Sequence, residues 1–332
     1  MVDATIGLIV NPAAGRDSRR LVGSAVVSDT YAKRLATRSF LEGVNAVSDP
    51  VTVSVMPDHA GIGEDAVTAA SGVDTRVLDM PVQARREDTR TAASAFREDA
   101  DCIVVFGGDG TTRDVALECG EVPILPISTG TNNVVPDCVD GTAAGIAGAL
   151  IATGAVSPDT VTDHHGMVAG SIEGSTTSRS IRGLATLGIV DTRFTGTRAI
   201  LRGTDFLGGV VSRSSPRDSG LSGIVGSIAP SNPTDPGGMA VTLGDPEETA
   251  NSVSAMTVPG SIERIGIESV SRLDTDETAE FRIEEGVVSV DGERHVEVSD
   301  ATVTFRPTTA GTRIVDVEAV FERAADEGLL VH

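Results

Sequence analysis

Residues 101–111 read Asp-Cys-Ile-Val-Val-Phe-Gly-Gly-Asp-Gly-Thr, and this stretch decides the fold. Ile103 to Phe106 is a short apolar run rich in β-branched residues, which is typical of a parallel strand covered on both faces. Residues 111–119 continue with helical character, and we expect Thr111 to cap the first turn. The order strand, glycine turn, helix indicates an open α/β sheet that binds a ligand at the carboxyl ends of its strands.

Asp109 is the unusual member of this turn. Glycines let backbone N–H groups approach phosphate oxygens, and the helix dipole favours an anion there. A carboxylate beside a phosphate repels it unless the carboxylate binds a metal ion or takes a proton from an attacking hydroxyl. The plainer interpretation is a glycine turn in which Asp109 only caps the helix, and the turn by itself leaves both interpretations open.

The composition excludes several classes of partner. The 332-residue chain has 48 acidic and 26 basic residues and a formal net charge of −22, which argues against non-specific binding to nucleic acid or to an anionic membrane. Acid excess with lysine depletion resembles proteins of salt-loving archaea, in which molar salt screens the repulsion. No apolar run approaches the roughly 20 residues of a membrane span. Residues 1–10 carry no signal-peptide pattern, so we expect a cytoplasmic protein.

Lys33 is the only lysine of the chain. A P-loop needs a lysine beside Ser or Thr after its last glycine, and Lys33 lies in a helical stretch without that context. Phosphate binding would therefore depend on backbone N–H groups, arginine and metal ions. The three cysteines, Cys102, Cys119 and Cys138, form no CxxC pair, and we interpret them as reduced packing residues.

Two further loops have a composition suited to nucleotide binding. The first predicted strand ends at Asn-Pro-Ala-Ala-Gly, residues 11–15, and a helix capped by Asp17 or Ser18 is expected to follow as far as Phe40. Residues 126–136, Pro-Ile-Ser-Thr-Gly-Thr-Asn-Asn-Val-Val-Pro, form a loop with many hydrogen-bond donors and no charge. Each loop has a plain interpretation, a βα turn or self-bonded Asx turns, and a functional one, phosphate or ribose binding.

The pattern of elements changes near residue 155. Residues 1–155 alternate strands with helices, which predicts an α/β domain with a parallel sheet. Short alternating strands with frequent Gly and Ser predict a mainly antiparallel β-sandwich domain over residues 156–308. Residues 309–332 include a predicted helix over 316–327 and are expected to return to the first domain. Residues 181–194 read as one long strand.

Residues 287–294 read as a strand that runs into Asp-Gly-Glu. Asp-Gly is the favoured pair for a hairpin turn. The alternative is that Asp291 and Glu293 bring two carboxylates to the cleft and bind Mg²⁺, and we favour this second interpretation.

Gly-Gly-Asp-Gly-Thr at 107–111, followed by Ser-Thr-Gly-Thr-Asn-Asn-Val-Val-Pro at 128–136, resembles the AcoX-type branch of the ATP-NAD kinase family. The superfamily also contains diacylglycerol and sphingosine kinases, and Asn-Pro-x-x-Gly at 11–15 is similar to its first motif. The resemblance implies an α/β nucleotide-binding domain, a β-sandwich domain, an ATP site between them and Asp109 as the catalytic aspartate. By position, the residues that match the ATP-side motifs are Asn11, Gly107, Gly108, Gly110, Thr111, Thr129, Gly130, Thr131 and Asn132.

The same resemblance implies ATP, Mg²⁺ and NAD as ligands and phosphorylation of the 2′-hydroxyl of NAD as the leading activity. Asp191 lies near where NAD kinases carry an Asn-Glu pair that holds the ribose, but this sequence has no Asn-Glu pair. A kinase for another small metabolite, of the type linked to acetoin breakdown, therefore stays open, as does a nucleotide-binding regulator without catalysis. A lipid substrate is disfavoured because the chain has no amphipathic basic helix. Arg193 and Arg198 are candidate phosphate contacts, and we expect a homo-oligomer.

Overall fold

The computed structural model of this chain describes residues 4–15, 28–130, 133–174, 178–191 and 198–331. Within them the chain forms fourteen strands and seven helices. The strands are β1 (Ala4–Val10), β2 (Val51–Val55), β3 (Asp74–Val77), β4 (Cys102–Gly107), β5 (Ile124–Ser128), β6 (Thr162–Gly174), β7 (Ser178–Gly183), β8 (Thr186–Val190), β9 (Phe206–Val211), β10 (Gly238–Gly244), β11 (Asn251–Val258), β12 (Ser261–Leu273), β13 (Ala279–Val290) and β14 (Glu293–Val315). The helices are α1 (Thr30–Asn45), α2 (Ile62–Ala69), α3 (Arg86–Asp99), α4 (Asp109–Ala116), α5 (Gly141–Ala152), α6 (Gly220–Gly226) and α7 (Val317–Asp326).

The first half contains the predicted parallel sheet, with strand order β3-β2-β1-β4-β5. Every residue of β4 is buried, because the sheet carries a layer of side chains on each face. Val104 packs in a cluster with Phe40 of α1, whereas Ile103 and Val105 pack in another with Phe96 of α3. Since the strands are parallel, the loops after β1, β4 and β5 meet at one edge of the sheet.

The second half is the predicted, mostly antiparallel β region. Strands β8 to β13 pair antiparallel with their neighbours. The two halves are joined by β14, a strand of 23 residues. It pairs antiparallel with β13 and β6, and in parallel with β5 where Ile314 lies opposite Ile124. The halves therefore share one hydrogen-bonded network of strands.

The end of the chain lies against the first half. Val320 and Ala324 of α7 are fully buried and belong to the same cluster as Ile6 of β1 and Leu150 of α5. Asp316 caps α7 by accepting a 3.1 Å hydrogen bond from a first-turn N–H. None of the helices among the described residues has both the length and the apolar character needed to cross a membrane.

Helix α1 begins at Thr30 and ends later than predicted. Asp29 caps it by accepting a 2.8 Å hydrogen bond from an N–H in the first turn. The helix continues beyond the predicted end at Phe40 because Leu41 and Val44 extend its buried face. The two caps predicted for it, at positions 17–18, lie outside the described residues.

The prediction of one long strand over 181–194 is wrong. The chain breaks between β7 and β8, at Leu184 and Ala185, and these residues turn their backbone N–H groups towards Asp291. A continuous strand would have used those groups in its ladder, so the sequence pattern of apolar residues could not reveal the interruption.

The cysteines divide into two kinds. Cys102 and Cys119 are buried and free, as predicted for packing residues, whereas Cys138 is exposed and does not serve the core. Burial, followed by the charge of Asp101, raises the pKa of the Cys102 thiol to about 12, so this side chain stays a neutral packing group.

Helices α1 and α5 pack closely through glycine. A Cβ atom on Gly145 would lie 2.1 Å from the carbonyl oxygen of Phe40, and one on Gly43 would lie 2.1 Å from that of Thr142. The obstacles are backbone atoms, so neither position has room for a side chain. Gly148 of α5 faces side-chain ends instead, and a Cβ atom there would lie 3.3 Å from the nearest of them.

We predict that Gly145→Ala lowers the free energy of unfolding by about 1–3 kcal/mol, because the added methyl group forces the two helices apart. Gly148→Ala is the matched control, since it adds the same methyl group in the same helix where flexible side chains can move. Urea unfolding followed by circular dichroism compares the two. An equal stability of both variants would contradict close backbone packing at Gly145.

Candidate active site

The glycine turn after β4 is built around close contacts. A Cβ atom on Gly107 would lie 2.6 Å from Cβ of Thr111, and one on Gly108 would lie 2.9 Å from Oδ1 of Asn133. Helix α4 begins at Asp109, with Gly108 as its N-cap. The predicted capping role of Thr111 is therefore wrong, because Thr111 is already inside the helix.

Asp109 is held by the loop that follows β5. Both of its carboxylate oxygens accept hydrogen bonds from the backbone N–H of Val134, at 3.0 and 2.9 Å, and one also accepts from that of Val135 at 2.9 Å. The residue is 8% exposed. These bonds fix the orientation of the carboxylate while it still borders an open cleft.

The loop at residues 11–15 is tied to the same turn. The Asn11 side chain donates a 2.8 Å hydrogen bond to the Thr111 hydroxyl, and its amide oxygen accepts one from the N–H of Ala13. Lys33 is fully buried, and its ammonium group donates to the carbonyl oxygens of Pro12, at 3.0 Å, and of residue 14, at 2.6 Å. The only lysine of the chain therefore holds this loop in place.

The loop after β5 completes the group. The backbone N–H of Thr129 donates a 3.1 Å hydrogen bond to the carbonyl oxygen of Gly107. Gly15, with φ +73°, approaches the Thr129 carbonyl so closely that a Cβ there would lie 2.7 Å from it. Its Cα also lies against Gly130. The three loops predicted from sequence thus lie side by side, whereas residues 131–132 lie outside the described part of the chain.

These loops border a cleft of about 360 Å³ that is also lined by residues of the second half. This volume is at the lower end of the range for small-molecule sites. Of the residues predicted from sequence, those that line it are Asn11, Gly108, Asp109, Gly110, Thr111, Gly130, Asp291 and Glu293. Gly107 and Thr129 support the loops without appearing on its surface.

Asp291 and Gly292 form the two-residue turn of the β13–β14 hairpin. Both have positive φ, +47° and +75°, and Val290 pairs with Glu293 across the turn, as expected for the Asp-Gly pair. The Asp291 carboxylate accepts hydrogen bonds of 2.8 to 3.0 Å from the backbone N–H groups at the break between β7 and β8. Asp291 therefore forms the predicted hairpin turn and also lines the cleft.

Arg113 of α4, in the first half of the chain, forms an ion pair with Asp291, in the second half. Its Nη1 lies 3.2 Å from Asp291 Oδ2, and the two side chains are 5% and 1% exposed. Burial alone would lower the pKa of Arg113, but the charges of Asp291, Asp114 and Glu293 raise it above its usual value. The guanidinium is therefore always charged, and it couples the helix that begins at Asp109 to the β13–β14 turn.

Most carboxylates that line the cleft are already bound to other groups of the protein. Asp58 accepts three backbone hydrogen bonds, Asp88 accepts three, and Asp114 is paired with Arg86 and Arg90. Glu293 differs, because its carboxylate has no hydrogen bond or ion pair of 4 Å or less with a described residue.

No group of three or more His, Cys, Asp or Glu side chains that could hold a metal ion occurs in the described ranges. Mg²⁺ in kinase sites is commonly bound by one or two carboxylates together with substrate phosphates. Glu293 fits such a site, whereas the Asp291 oxygens are engaged by backbone N–H groups and by Arg113. The predicted role of Asp291 in metal binding stays a prediction, and its contacts favour a structural role.

Arginine supplies the positive charge of the cleft. Its lining contains Arg85, Arg86, Arg113 and Arg198, of which Arg86 is paired with Asp114 and Arg113 with Asp291. The pKa of the nearby His295 falls to about 4, through partial loss of hydration and then through the charges of Arg113, Arg86 and Arg198. Arg198 is exposed and has no carboxylate partner among the described residues, so it can meet an anion.

One predicted residue, Asp191, is not brought to this cleft. Asp191 follows β8 with an exposed side chain, and it is absent from the described lining of the cleft. Arg193 lies outside the described residues. Sequence reasoning also missed Arg113, although its position four residues after Asp109 on a helix was a usable signal, because such a spacing places both on one helix face.

Comparisons with known proteins agree with this architecture. Residues 6–155 match the ATP-NAD kinase N-terminal domain family, and residues 168–310 match the acetoin catabolism protein X C-terminal domain family. The chain is 33% identical over 337 aligned residues to acetoin catabolism protein X of Cupriavidus necator, which covers 98% of this chain and 93% of that protein. The chain belongs to the acetoin catabolism protein X family.

A partial sequence match and a solved structure extend the comparison. An uncharacterized protein of Archaeoglobus fulgidus is 36% identical over 96 residues, which is 28% of this chain and 32% of that protein. The solved structure of yeast NADH kinase complexed with NADH covers all of this chain and 89% of its own, with a TM-score of 0.53 and 13% identity. At this identity the likeness concerns the fold, which is a mixed α/β fold of NAD kinase type.

We predict that Arg113→Gln lowers the free energy of unfolding by about 3–5 kcal/mol, because it leaves the buried charge of Asp291 without its cation. Arg38→Gln is the control, since Arg38 forms a 3.0 Å pair with Asp65 on a half-exposed surface. Its expected cost is below about 1 kcal/mol. Denaturant unfolding measures both, and equal small losses would show that the buried pair contributes little.

Proposed function

We propose that this protein is an ATP-dependent phosphotransferase that phosphorylates a hydroxyl group of a small molecule. The observation that supports the proposal most is the position of Asp109. It is oriented by backbone hydrogen bonds at the edge of a cleft where three glycine-containing loops of one half face Arg198 and Glu293 of the other. The kinase-type fold of the family supports the same reaction class.

In the proposed reaction the acceptor hydroxyl oxygen attacks the γ-phosphorus of ATP. The bond from that phosphorus to the ADP oxygen breaks, and the hydroxyl proton passes to Asp109. Backbone N–H groups of the glycine turn hold the phosphate chain, and Arg198 contacts one of its oxygens. Most of the rate enhancement would come from this positioning and from charge neutralisation.

Glu293 is the residue that would hold Mg²⁺, with the remaining ligands from phosphate oxygens and water. The ion would neutralise charge on the phosphates. A cation and Arg198 are both needed at this place, because the whole chain carries a formal net charge of −22 and repels a polyphosphate at long range.

Two acceptors follow from the sequence. The 2′-hydroxyl of NAD is the acceptor implied by the NAD kinase domain. A different small metabolite is favoured by the exposed position of Asp191 and by the full-length likeness to acetoin catabolism protein X. Incubation with ATP, Mg²⁺ and NAD in molar salt, followed by detection of NADP, distinguishes them. A nucleotide-binding regulator would instead bind ATP and form no product with either acceptor.

We predict that Asp109→Asn lowers turnover by about 10²–10⁴-fold, because the amide cannot take the hydroxyl proton. Asp140→Asn is the control, since Asp140 caps α5 outside the cleft with a 2.8 Å bond to the N–H of Thr142. Steady-state assays with unfolding curves as the fold check compare both. A folded Asp109→Asn protein with undiminished turnover would refute the role.

We predict that Arg198→Gln raises the Kd for ATP about tenfold or more, because a hydrogen bond to a charged group contributes about 1.5–3 kcal/mol. Arg217→Gln, at an exposed arginine outside the cleft, serves as the control for the loss of one positive charge. Calorimetric titration with ATP and Mg²⁺ gives both values. Equal affinities would place the phosphates away from Arg198.

A further inference from the structure

Asp109 borders a second, smaller cavity in addition to the cleft. This cavity has a volume of about 30 Å³, and it shares only Asp109 and Asp291 with the lining of the cleft. Its other walls come almost entirely from the second half of the chain, beginning at Ala185. A group seated in it would therefore approach the Asp109 carboxylate mainly from the second half of the chain.

The cavity walls combine large apolar side chains with hydroxyl groups. Ile200, Phe206 and Leu221 are 5%, 5% and 3% exposed, and they supply three large hydrocarbon surfaces. Thr186 and Ser219 add hydroxyl groups that have no hydrogen-bond partner among the described residues. Such a wall suits a short carbon chain that carries one or two hydroxyl or carbonyl groups.

Three charged side chains line the cavity, those of Asp109, Arg202 and Asp291. Arg202 lines it, and the positive charge of Arg202 acts on the neighbouring Asp205 carboxylate and opposes the rise in pKa that burial causes there. Asp291 is neutralised by Arg113 and by backbone N–H groups. Asp109 and Asp291 on the cavity wall repel an anionic ligand, and the bonds that both carboxylates already make reduce what they offer to a cation, which favours a neutral ligand.

The size of the cavity limits what can enter it. A single water needs about 10–15 Å³ by the same measure, so a cavity of about 30 Å³ holds an end group of two or three non-hydrogen atoms. A whole ribose ring is larger than this volume and does not fit inside the cavity.

We propose that this cavity is the acceptor subsite and that it takes the hydroxyl-bearing end of a small neutral alcohol or hydroxy ketone. The inference rests on the proposed phosphotransferase function and names its substrate class. The acceptor oxygen would form its bond to the γ-phosphorus as the bond to ADP breaks, and its proton would go to Asp109. The product would be a phosphate monoester of the small alcohol.

The test combines acceptor binding with turnover. Leu221→Phe fills the cavity, and Ile262→Phe, at a side chain that is 75% exposed on β12, is the matched control. Binding of 2,3-butanediol and of 3-hydroxy-2-butanone is measured by saturation-transfer NMR. Their phosphorylation by ATP and Mg²⁺ is followed by ³¹P NMR beside NAD. We expect Leu221→Phe to weaken binding and raise KM about tenfold or more, with the Kd for ATP unchanged within twofold.

A second variant covers the case in which Leu221→Phe does not fold. Leu221→Ala enlarges the cavity, and the preferred acceptor is expected to lengthen by one or two carbons. The subsite is overturned if neither small acceptor binds, if binding is equal in wild type and both variants, or if NAD alone is phosphorylated. Acceptor binding that depends on Leu221, without phosphorylation, would keep the subsite and reject the phosphotransferase function.

Discussion

The buried ion pair between Arg113 and Asp291 is the interaction on which the candidate site depends. Arg113 lies on the helix that starts at Asp109, and Asp291 lies in the turn of the β13–β14 hairpin. Both charged side chains lose their hydration at this contact, which costs free energy. Backbone N–H groups offset this cost by binding the remaining lone pairs of the carboxylate. Those N–H groups are available because the chain breaks between β7 and β8.

The same kind of contact supports the proposed anion site of this acidic protein. Carboxylates around the cleft are abundant, but Asp58, Asp88 and Asp109 are bound by backbone N–H groups, and Asp114 by arginines. The partial positive charges of these donors reduce the field that an approaching polyphosphate meets. Glu293 is the cleft carboxylate without a hydrogen bond or ion pair of 4 Å or less to a described residue, so the proposed Mg²⁺ would neutralise its charge.

The local sequence was sufficient to predict the features that depend on residues close to one another in the chain. The apolar run of β4, the glycines that follow it and the loop after β5 predicted a sheet edge, and the structure places these loops together. The contact of Arg113 with Asp291 joins residues 178 positions apart, and no periodicity encodes it. The predicted strand over 181–194 failed for the same reason, because a distant carboxylate decides where it breaks.

The role of Lys33 shows a further limit of composition. Its rarity in the chain excluded a P-loop, yet no sequence pattern indicates that its ammonium group binds the carbonyl oxygens of the first loop. Burial of one long cationic side chain is costly unless it is bonded, and two carbonyl groups of a tight turn supply acceptors that would otherwise lie unpaired. The single lysine of the chain is therefore buried, where it binds the loop after β1.

The length of β14 has a consequence for how the molecule can move. One strand of 23 residues runs through both halves and pairs with other strands on each side. This connection between the halves is therefore not a flexible linker. Its pairing with β6 shifts register between Thr308 and Thr312. Closure of the two halves around a substrate would require β14 to twist or bend. The register shift in its pairing with β6 is where the hydrogen-bonded ladder would resist that bending least.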